Sequence, residues 1–149
     1  MTQMDINQIL QNHLRRQSPP YGTPSKADWE KLAATFGCRF HEDFIMFSNV
    51  MADYEGLGDL LSVGEGSNVR TPDTIALVHD HETRIGGWPP HLVPFLSVGN
   101  GDYFCLDARE GIDSSVYYCY HEDRRVEKYA ETFADWICKI PMLVAGSTR

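Results

Sequence analysis

The sequence predicts a mixed α+β fold: a twisted, mainly antiparallel sheet with helices packed on one side. Three observations lead to this class. Apolar residues recur at helical spacing before residue 50, strand-like runs separated by turns occupy residues 92–129, and helical spacing returns after residue 132. This order of helices, antiparallel strands and a closing helix is typical of α+β domains. With 149 residues, 42% of them hydrophobic, the chain can bury one core.

The first 24 residues form an N-terminal helix and a proline-rich join. Ile6, Leu10 and Leu14 fall at helical spacing and predict an amphipathic helix over residues 4–16. Residues 17–24 read QSPPYGTP, in which three prolines and a glycine disfavour regular structure. The main domain is therefore expected over residues 25–141.

The next helix is predicted at both of its ends. Ser25 is a favourable N-cap with Asp28 three residues later as a capping box, and Gly37 is a favourable C-cap. The apolar face includes Trp29, which we therefore expect in the core. A second short helix is predicted over residues 41–49.

Residues 51–91 carry weaker patterns. Residues 51–70 are rich in glycine and acidic residues, and residues 60–63 are compatible with a strand. Thr71 and Pro72 predict an N-cap and a first-turn proline for a helix to about Thr83, although a strand also fits the apolar residues there. Trp88 stands between Gly87 and Pro89, where it is either a core anchor or an interface hot spot.

The strand region begins at residue 92. Residues 92–98 and 102–107 predict a hairpin, because Asn100-Gly101 supplies the positive-φ pair that such turns require. Residues 115–120 predict a third strand, and residues 126–129 predict a fourth after the turn HEDRR. Thr132 is predicted to cap a helix through Lys139 that ends at Pro141, and residues 142–149 are expected to form a flexible tail.

Negative charge is concentrated in the middle of the chain. The formal net charge is −8, yet residues 1–39 and 124–149 each carry five basic and three acidic residues. Residues 40–69 contain six acidic residues and no lysine or arginine, and residues 101–123 contain six acidic residues and one arginine. Such a field repels nucleic acid and attracts cationic proteins. The alternative, that these charges only aid solubility, stays open.

Metal-competent side chains are clustered in the run His79-Asp80-His81-Glu82. On a strand the two histidines would share a face and could chelate a metal, whereas on a helix they would point about 200° apart. A metal-dependent enzyme or metal-binding protein that uses residues 79–82 is therefore the alternative function.

Other catalytic patterns are missing from the sequence. It contains no G-x-S-x-G element and no phosphate-binding glycine loop, so we expect no catalytic residues and no cofactor. The four cysteines lack C-x-x-C spacing and are expected to be free thiols in a reducing compartment. No secretory signal or membrane-spanning run is recognisable, so a cytoplasmic location is expected.

Several segments together resemble the SUKH superfamily (Syd, US22 and Knr4 homology), in its Knr4-like bacterial immunity-protein branch. The resemblance covers roughly residues 25–140 in the same order. Its elements are the DWEKL helix at residues 28–32, Phe40-His41-Glu42-Asp43-Phe44, Asn49, the hairpin at residues 92–104, Leu106-Asp107, Val116-Tyr117-Tyr118, His121-Glu122 and the helix at residues 132–136. The resemblance implies an α+β fold without catalysis and a role in neutralising a toxin domain.

The predicted function is a non-catalytic protein-binding module, with a regulatory scaffold as a further option. The expected partner is a basic, nuclease-like toxin domain, and the protein itself is expected to be a monomer or homodimer that binds neither nucleic acid nor membrane. The candidate contact residues are the acidic side chains of the two central blocks and two aromatic anchors: Asp53, Tyr54, Glu55, Asp59, Trp88, Asp102, Glu122 and Asp123.

Overall fold

The computed structural model describes residues 1–65 and 71–147, and within those ranges it forms one mixed α+β assembly. The α-helices are α1 Gln3–His13, α2 Lys26–Phe36, α3 Glu42–Val50, α4 Ile75–Ile85, α5 Phe133–Cys138 and α6 Ile140–Ser147. The strands are β1 Arg15–Arg16, β2 Tyr54–Glu55, β3 Asp59–Leu60, β4 Leu92–Ser97, β5 Tyr103–Asp107, β6 Val116–Cys119 and β7 Val126–Ala130.

All strand pairs are antiparallel. The main sheet has the order β3-β4-β5-β6-β7, and β1 pairs with β2 in a separate small sheet. The predicted hairpin and the two following strands are confirmed, as is the α+β class. The N-terminal helix is also confirmed, but it ends at His13 and not at residue 16, because Arg15 and Arg16 form β1. Its residues Ile6 and Leu10 are fully buried in the core of the main domain.

The core is an aromatic cluster between the sheet and the helices. Phe95 and Phe104 on the sheet contact Trp136, with ring centroids 5.1 and 5.4 Å apart, and Phe44 and Phe47 of α3 join them through Phe133. Most of these contacts are edge-to-face, which suits the quadrupoles of the rings. Helix α4 differs from the other helices because it also reaches the other face of the sheet. Its Glu82 contacts Tyr103, whose side chain lies on the face of β5 opposite that of Phe104.

The cap of α2 is confirmed in detail. Ser25 and Asp28 exchange both capping-box hydrogen bonds, and Gly37 closes the helix at φ +66°. The prediction for α4 is correct as to helix and wrong as to its start, because the N-cap is Thr74 and not Thr71. Backbone hydrogen bonds from Ser62 to Asp73 and from Ile75 to Ser62 hold the chain extended up to residue 74.

Three predictions in the weaker segments are revised. The strand expected over residues 60–63 is Asp59–Leu60, followed by an isolated bridge at Ser62. The join at residues 17–24 contains no helix or strand, and the amides of Gln17 and Tyr21 donate hydrogen bonds to carbonyl groups of residues 53 and 52. Residues 66–70 of the glycine-rich segment lie outside the described residues.

The expected flexible tail is wrong for residues 142–147. Those residues continue in α6, and Pro141 occupies its first turn. Backbone nitrogens in the first turn of a helix have no acceptor within the helix, so a proline there sacrifices no hydrogen bond. The helix packs against α1, and Ile140 is fully buried. Residues 148–149 lie outside the described residues.

Candidate protein-interaction surface

Three acidic segments meet at one end of the main sheet. Asp59 pairs with Ser97 at the end of β4, where the β4–β5 hairpin begins. Cys119, the last residue of β6, pairs with Tyr103, the first residue of β5, so the turn after β6 lies at the same end. Neighbouring strands are about 4.8 Å apart, so β3 and β6 are separated by roughly 14 Å.

We name the acidic side chains at this end the carboxylate rim: Asp59, Asp102, Glu122 and Asp123. They come from both acidic blocks of the sequence. The structure therefore brings together four of the eight candidate residues.

The β4–β5 hairpin that carries Asp102 differs locally from the predicted turn. The positive φ angles belong to Gly99 (+94°) and Gly101 (+95°), not to Asn100. The Asn100 side chain instead accepts a hydrogen bond of 3.0 Å from the amide of Asp102. Glycine is required at 101 for a second reason, since a Cβ there would lie 3.0 Å from the ring of His121.

Asp102 is an internal member of the rim. It is 5% exposed and accepts hydrogen bonds from the Tyr118 hydroxyl (2.6 Å), the His121 amide (2.8 Å) and the Nδ1–H of His121 (2.6 Å). Burial raises the pKa of Asp102, but the hydrogen bonds from Tyr118 and His121 outweigh it and hold the pKa below the usual value. Asp102 thus fixes the hairpin to the β6–β7 turn and is not itself open to a partner.

The other three rim carboxylates face water. Asp59, Glu122 and Asp123 are exposed, and none of them forms an ion pair within the described part of the chain. The Asp123 carboxylate accepts the Arg125 amide at 3.0 Å, which shapes the turn without neutralising the charge.

The two arginines of this turn are both engaged by neighbouring side chains. Arg124 donates to Glu82 at 2.7 Å, and the guanidinium of Arg125 lies 4.2 Å from the centroid of the Tyr120 ring. Glu82 neutralises Arg124, whereas Arg125 keeps its charge; the three exposed carboxylates still leave the rim net negative and available to a cation.

The candidate residues at the small sheet are Asp53, Tyr54 and Glu55, of which Glu55 and its partner Arg15 line one pocket with Asp59 of the rim. Glu55 is paired with Arg15 at 3.5 Å, and Asp53 is half-buried with its carbonyl accepting the Gln17 amide. Tyr54 is 1% exposed and donates its hydroxyl to Asn7 at 2.7 Å. The proposal of Tyr54 as an exposed anchor is therefore wrong.

Trp88 is likewise a core residue. It is 4% exposed, its indole N–H donates to the Leu92 carbonyl at 3.1 Å, and it packs edge-on against Tyr103 beneath the guanidinium of Arg124. Of the two roles predicted for Trp88, the core anchor is confirmed and the interface hot spot is wrong.

The second acidic block is divided by the sheet. Asp107 is the last residue of β5, Glu110 and Asp113 follow it, and all three lie at the opposite end from the rim. Asp107 is buried, and Arg109 donates to both of its carboxylate oxygens at 3.2 and 2.9 Å. Burial raises the pKa of Asp107, while the hydrogen bonds and charge of Arg109 produce a net lowering.

The structure does not support a metal site at residues 79–82. These residues lie on α4, so His79 and His81 point in different directions, and His79 is held by the Pro90 carbonyl at 2.8 Å. No group of three or more potential metal ligands occurs in residues 1–65 and 71–147. Within the same residues, no helix is both long and apolar enough to traverse a lipid bilayer.

Sequence reasoning missed an apolar groove of about 510 Å³ at the far end of the molecule. Trp29, Phe40 and Ile45 form its walls, and Ile112, which is 50% exposed, stands at its edge. Trp29 was expected in the core and is half-buried there. The sequence signal for this groove was Ile112, an aliphatic residue between Gly111 and Asp113 in the turn after β5.

Comparisons with known proteins identify relatives at the level of family and fold. The family model described as the SMI1 / KNR4 family (SUKH-1) matches residues 23–139. A search of curated proteins finds no significant match. A solved structure described as a protein from Pseudomonas syringae pv. tomato is similar, with a TM-score of 0.64 and 15% sequence identity over 89% of this chain and 93% of that one. At this identity the likeness concerns the fold alone.

Proposed function

The chain belongs to the SMI1 / KNR4 family (SUKH-1), and on this premise we propose that it is a non-catalytic immunity protein that binds a cognate bacterial toxin domain. The observation that carries the proposal is the carboxylate rim. Its three exposed carboxylates stand on strand β3 and on the β6–β7 turn, which belong to one sheet and are held by its ladder and by Asp102, so their spacing is fixed before a partner arrives.

The proposed mechanism is occlusion of the toxin's substrate-binding surface. A nuclease-like domain presents lysine and arginine side chains to the phosphates of its substrate, and ionised carboxylates held in place compete for the same cations. Long-range attraction accelerates the encounter, and this acceleration weakens as salt shortens the screening length. The proposed location is the cytoplasm, where such a toxin would meet its substrate.

The preformed rim lowers the cost of association. Asp102 holds the β4–β5 hairpin against the β6–β7 turn, so few backbone torsions need to be ordered on binding. Asp59 is held in the ladder opposite Ser97. These contacts favour a binding mode in which the partner adapts little and the rim docks as a rigid body.

The test is co-expression with the toxin domain encoded beside this gene, with growth as the readout. Replacing Asp59, Glu122 and Asp123 by Asn, Gln and Asn should abolish protection and lower the association rate constant about tenfold or more at low salt. The matched control replaces three other exposed acids by amides: Glu30 and Glu42, which line the distant groove, and Asp113, the neighbour of Ile112 in the chain. The control changes net charge equally, so it should retain protection.

Equal loss of protection in both triple variants would mean that net charge and not the rim is responsible, and the proposal would fail. Full protection by the rim variant would equally exclude the rim as the contact surface. Stable co-purification of the two proteins without any rescue of growth would favour the scaffold role over the immunity role.

A further inference from the structure

Helix α4 carries an exposed apolar stripe along one flank, next to the side that packs on the core. Its inner side is formed by Ile75, which is fully buried, and by Val78, which packs on the core. Beside this inner side Leu77 is 53% exposed, and Ile85, which lies almost in line with Val78 two turns further on, is 63% exposed, with the exposed His81 midway between them. Residues four apart share one face of a helix, so the three side chains form a continuous row.

We propose that this stripe, Leu77-His81-Ile85, is a docking surface for the α4 helix of a second copy of the chain. The reason is its symmetry about His81: both aliphatic side chains lie four residues from it, about 6 Å along the helix axis. When two such helices meet antiparallel on a two-fold axis at His81, Leu77 of each copy faces Ile85 of the other. An isologous contact requires a patch that matches itself in this way.

The charges beside the stripe obey the same symmetry. Asp80 and Arg84 lie on one flank of it and form an ion pair of 3.0 Å within the helix. In the antiparallel pair Asp80 of one copy lies about 3 Å along the axis from Arg84 of the other. Each carboxylate is then flanked by two guanidinium groups, so the contact pairs acid with base across the two copies.

The size of the surface sets the strength of the dimer. A helix of 11 residues is about 16 Å long, and one face of it buries well under the roughly 800 Å² per partner of a stable complex. The dissociation constant should therefore be on the order of 0.1–1 mM. The dimer would form where the protein is concentrated locally, and it does not depend on the proposed immunity function.

The experiment is sedimentation velocity of the full chain over a concentration range from about 20 µM to about 1 mM. The expected result is a rapid monomer–dimer equilibrium that stops at two copies. Ile85→Asp should weaken it at least about tenfold. The control Met142→Asp places the same charge on a helix residue of nearly equal exposure, 64%, and should leave association unchanged.

A gain-of-association variant tests the two-fold axis directly. His81→Leu replaces the two facing imidazoles by apolar side chains and should tighten the dimer about tenfold. The double variant Asp80→Arg/Arg84→Asp exchanges the two charges, so acid again faces base across the two copies, and it should dimerise like the wild type. Asp80→Arg alone places only positive charges there and should not dimerise.

The proposal is overturned if the wild type is monomeric throughout the range. It is also overturned if Met142→Asp weakens association as much as Ile85→Asp, if His81→Leu has no effect, or if added EDTA dissociates the dimer.

Discussion

The Nδ1 atom of His121 lies 2.6 Å from the Asp102 carboxylate, and this pair joins the β4–β5 hairpin to the β6–β7 turn. The two residues are 19 positions apart in the chain, and the amide of His121 donates to the same carboxylate oxygen. One internal carboxylate therefore organises both loops from which the rim's exposed side chains Glu122 and Asp123 project. Rim geometry and domain stability thus depend on the same group.

Replacing Asp102 by Asn should lower the free energy of unfolding by about 2 kcal/mol, because three donors lose a buried, ionised acceptor. Tyr118 and both donors of His121 are affected together. The measurement is urea denaturation at neutral pH. Asp113→Asn is the control, since Asp113 is exposed and its side chain forms no hydrogen bond among the described residues. Equal midpoints for Asp102→Asn and the wild type would contradict the structural role of this carboxylate.

The lowered pKa of Asp102 predicts a pH dependence of stability. A carboxyl whose pKa is lower in the folded state stabilises the fold above its unfolded pKa and ceases to do so as the pH falls through the folded value. The wild type should therefore lose stability from about pH 5 downward, and Asp102→Asn should lose less over the same interval. Urea midpoints between about pH 7 and pH 3 measure both slopes, and parallel slopes would refute the assignment.

Local signals explain what the sequence predicted well. The ends of α2 were predicted because Ser25, Asp28 and Gly37 act on their own helix and need no distant partner. The start of α4 was misplaced because Thr71-Pro72 has the local signature of an N-cap and a first-turn proline. The bridge between Ser62 and Thr74 keeps the chain extended to Thr74, and that contact depends on tertiary structure.

The candidate surface depended on information that is not local. Charge counts identified both acidic blocks, but only strand register decides which of their members meet. Pairing of Tyr103 with Cys119 sends Asp102 and Glu122 to one end of the sheet and Asp113 to the other. Burial was the second unknown, since Asp102 and Trp88 sit in polar or glycine-rich loops that read as exposed and are nevertheless covered by neighbouring segments.

We predict that the capping hydrogen bond of Asp28 requires a glycine at position 64. A Cβ at Gly64 would overlap the carboxyl group of Asp28, whose Oδ2 accepts the Ser25 amide at 2.8 Å. Gly64→Ala should displace that carboxyl group and destabilise the fold by about 1 kcal/mol, the usual cost of a lost cap. In an Asp28→Ala background the overlap is gone, so Gly64→Ala should be neutral or stabilise by up to about 0.5 kcal/mol.

The control for this coupling is Gly37→Ala, at the other end of α2. Its φ of +66° makes alanine unfavourable, yet no atom lies within 4 Å of the added Cβ. Its cost should therefore add to that of Asp28→Ala. Thermal or urea unfolding of the four variants in each cycle measures both couplings, and an additive Gly64–Asp28 cycle would show that the carboxyl group moves aside freely.

Two buried tryptophans are predicted to respond oppositely to loss of the indole N–H. Trp136 is fully buried, and its Nε1 has no hydrogen-bond partner among the described residues, whereas Nε1 of Trp88 donates to the Leu92 carbonyl. Benzothienylalanine preserves the ring shape and replaces the N–H by sulfur. At Trp136 it should leave the free energy of unfolding unchanged or raise it by up to about 1 kcal/mol, and at Trp88 it should lower it by about 1 kcal/mol.

Site-specific incorporation followed by urea denaturation measures the two effects, and each protein serves as the control for the other because the atoms exchanged are the same. Trp136 contacts Phe47 and Phe95 edge-on, with interplanar angles of 88° and 86°. A loss of about 1 kcal/mol at Trp136 would therefore mean that its N–H is stabilised by an aromatic face. Such a loss would contradict the prediction that the Trp136 N–H is an unsatisfied donor. It would mean that an N–H···π contact in the core helps to orient α5 on the sheet.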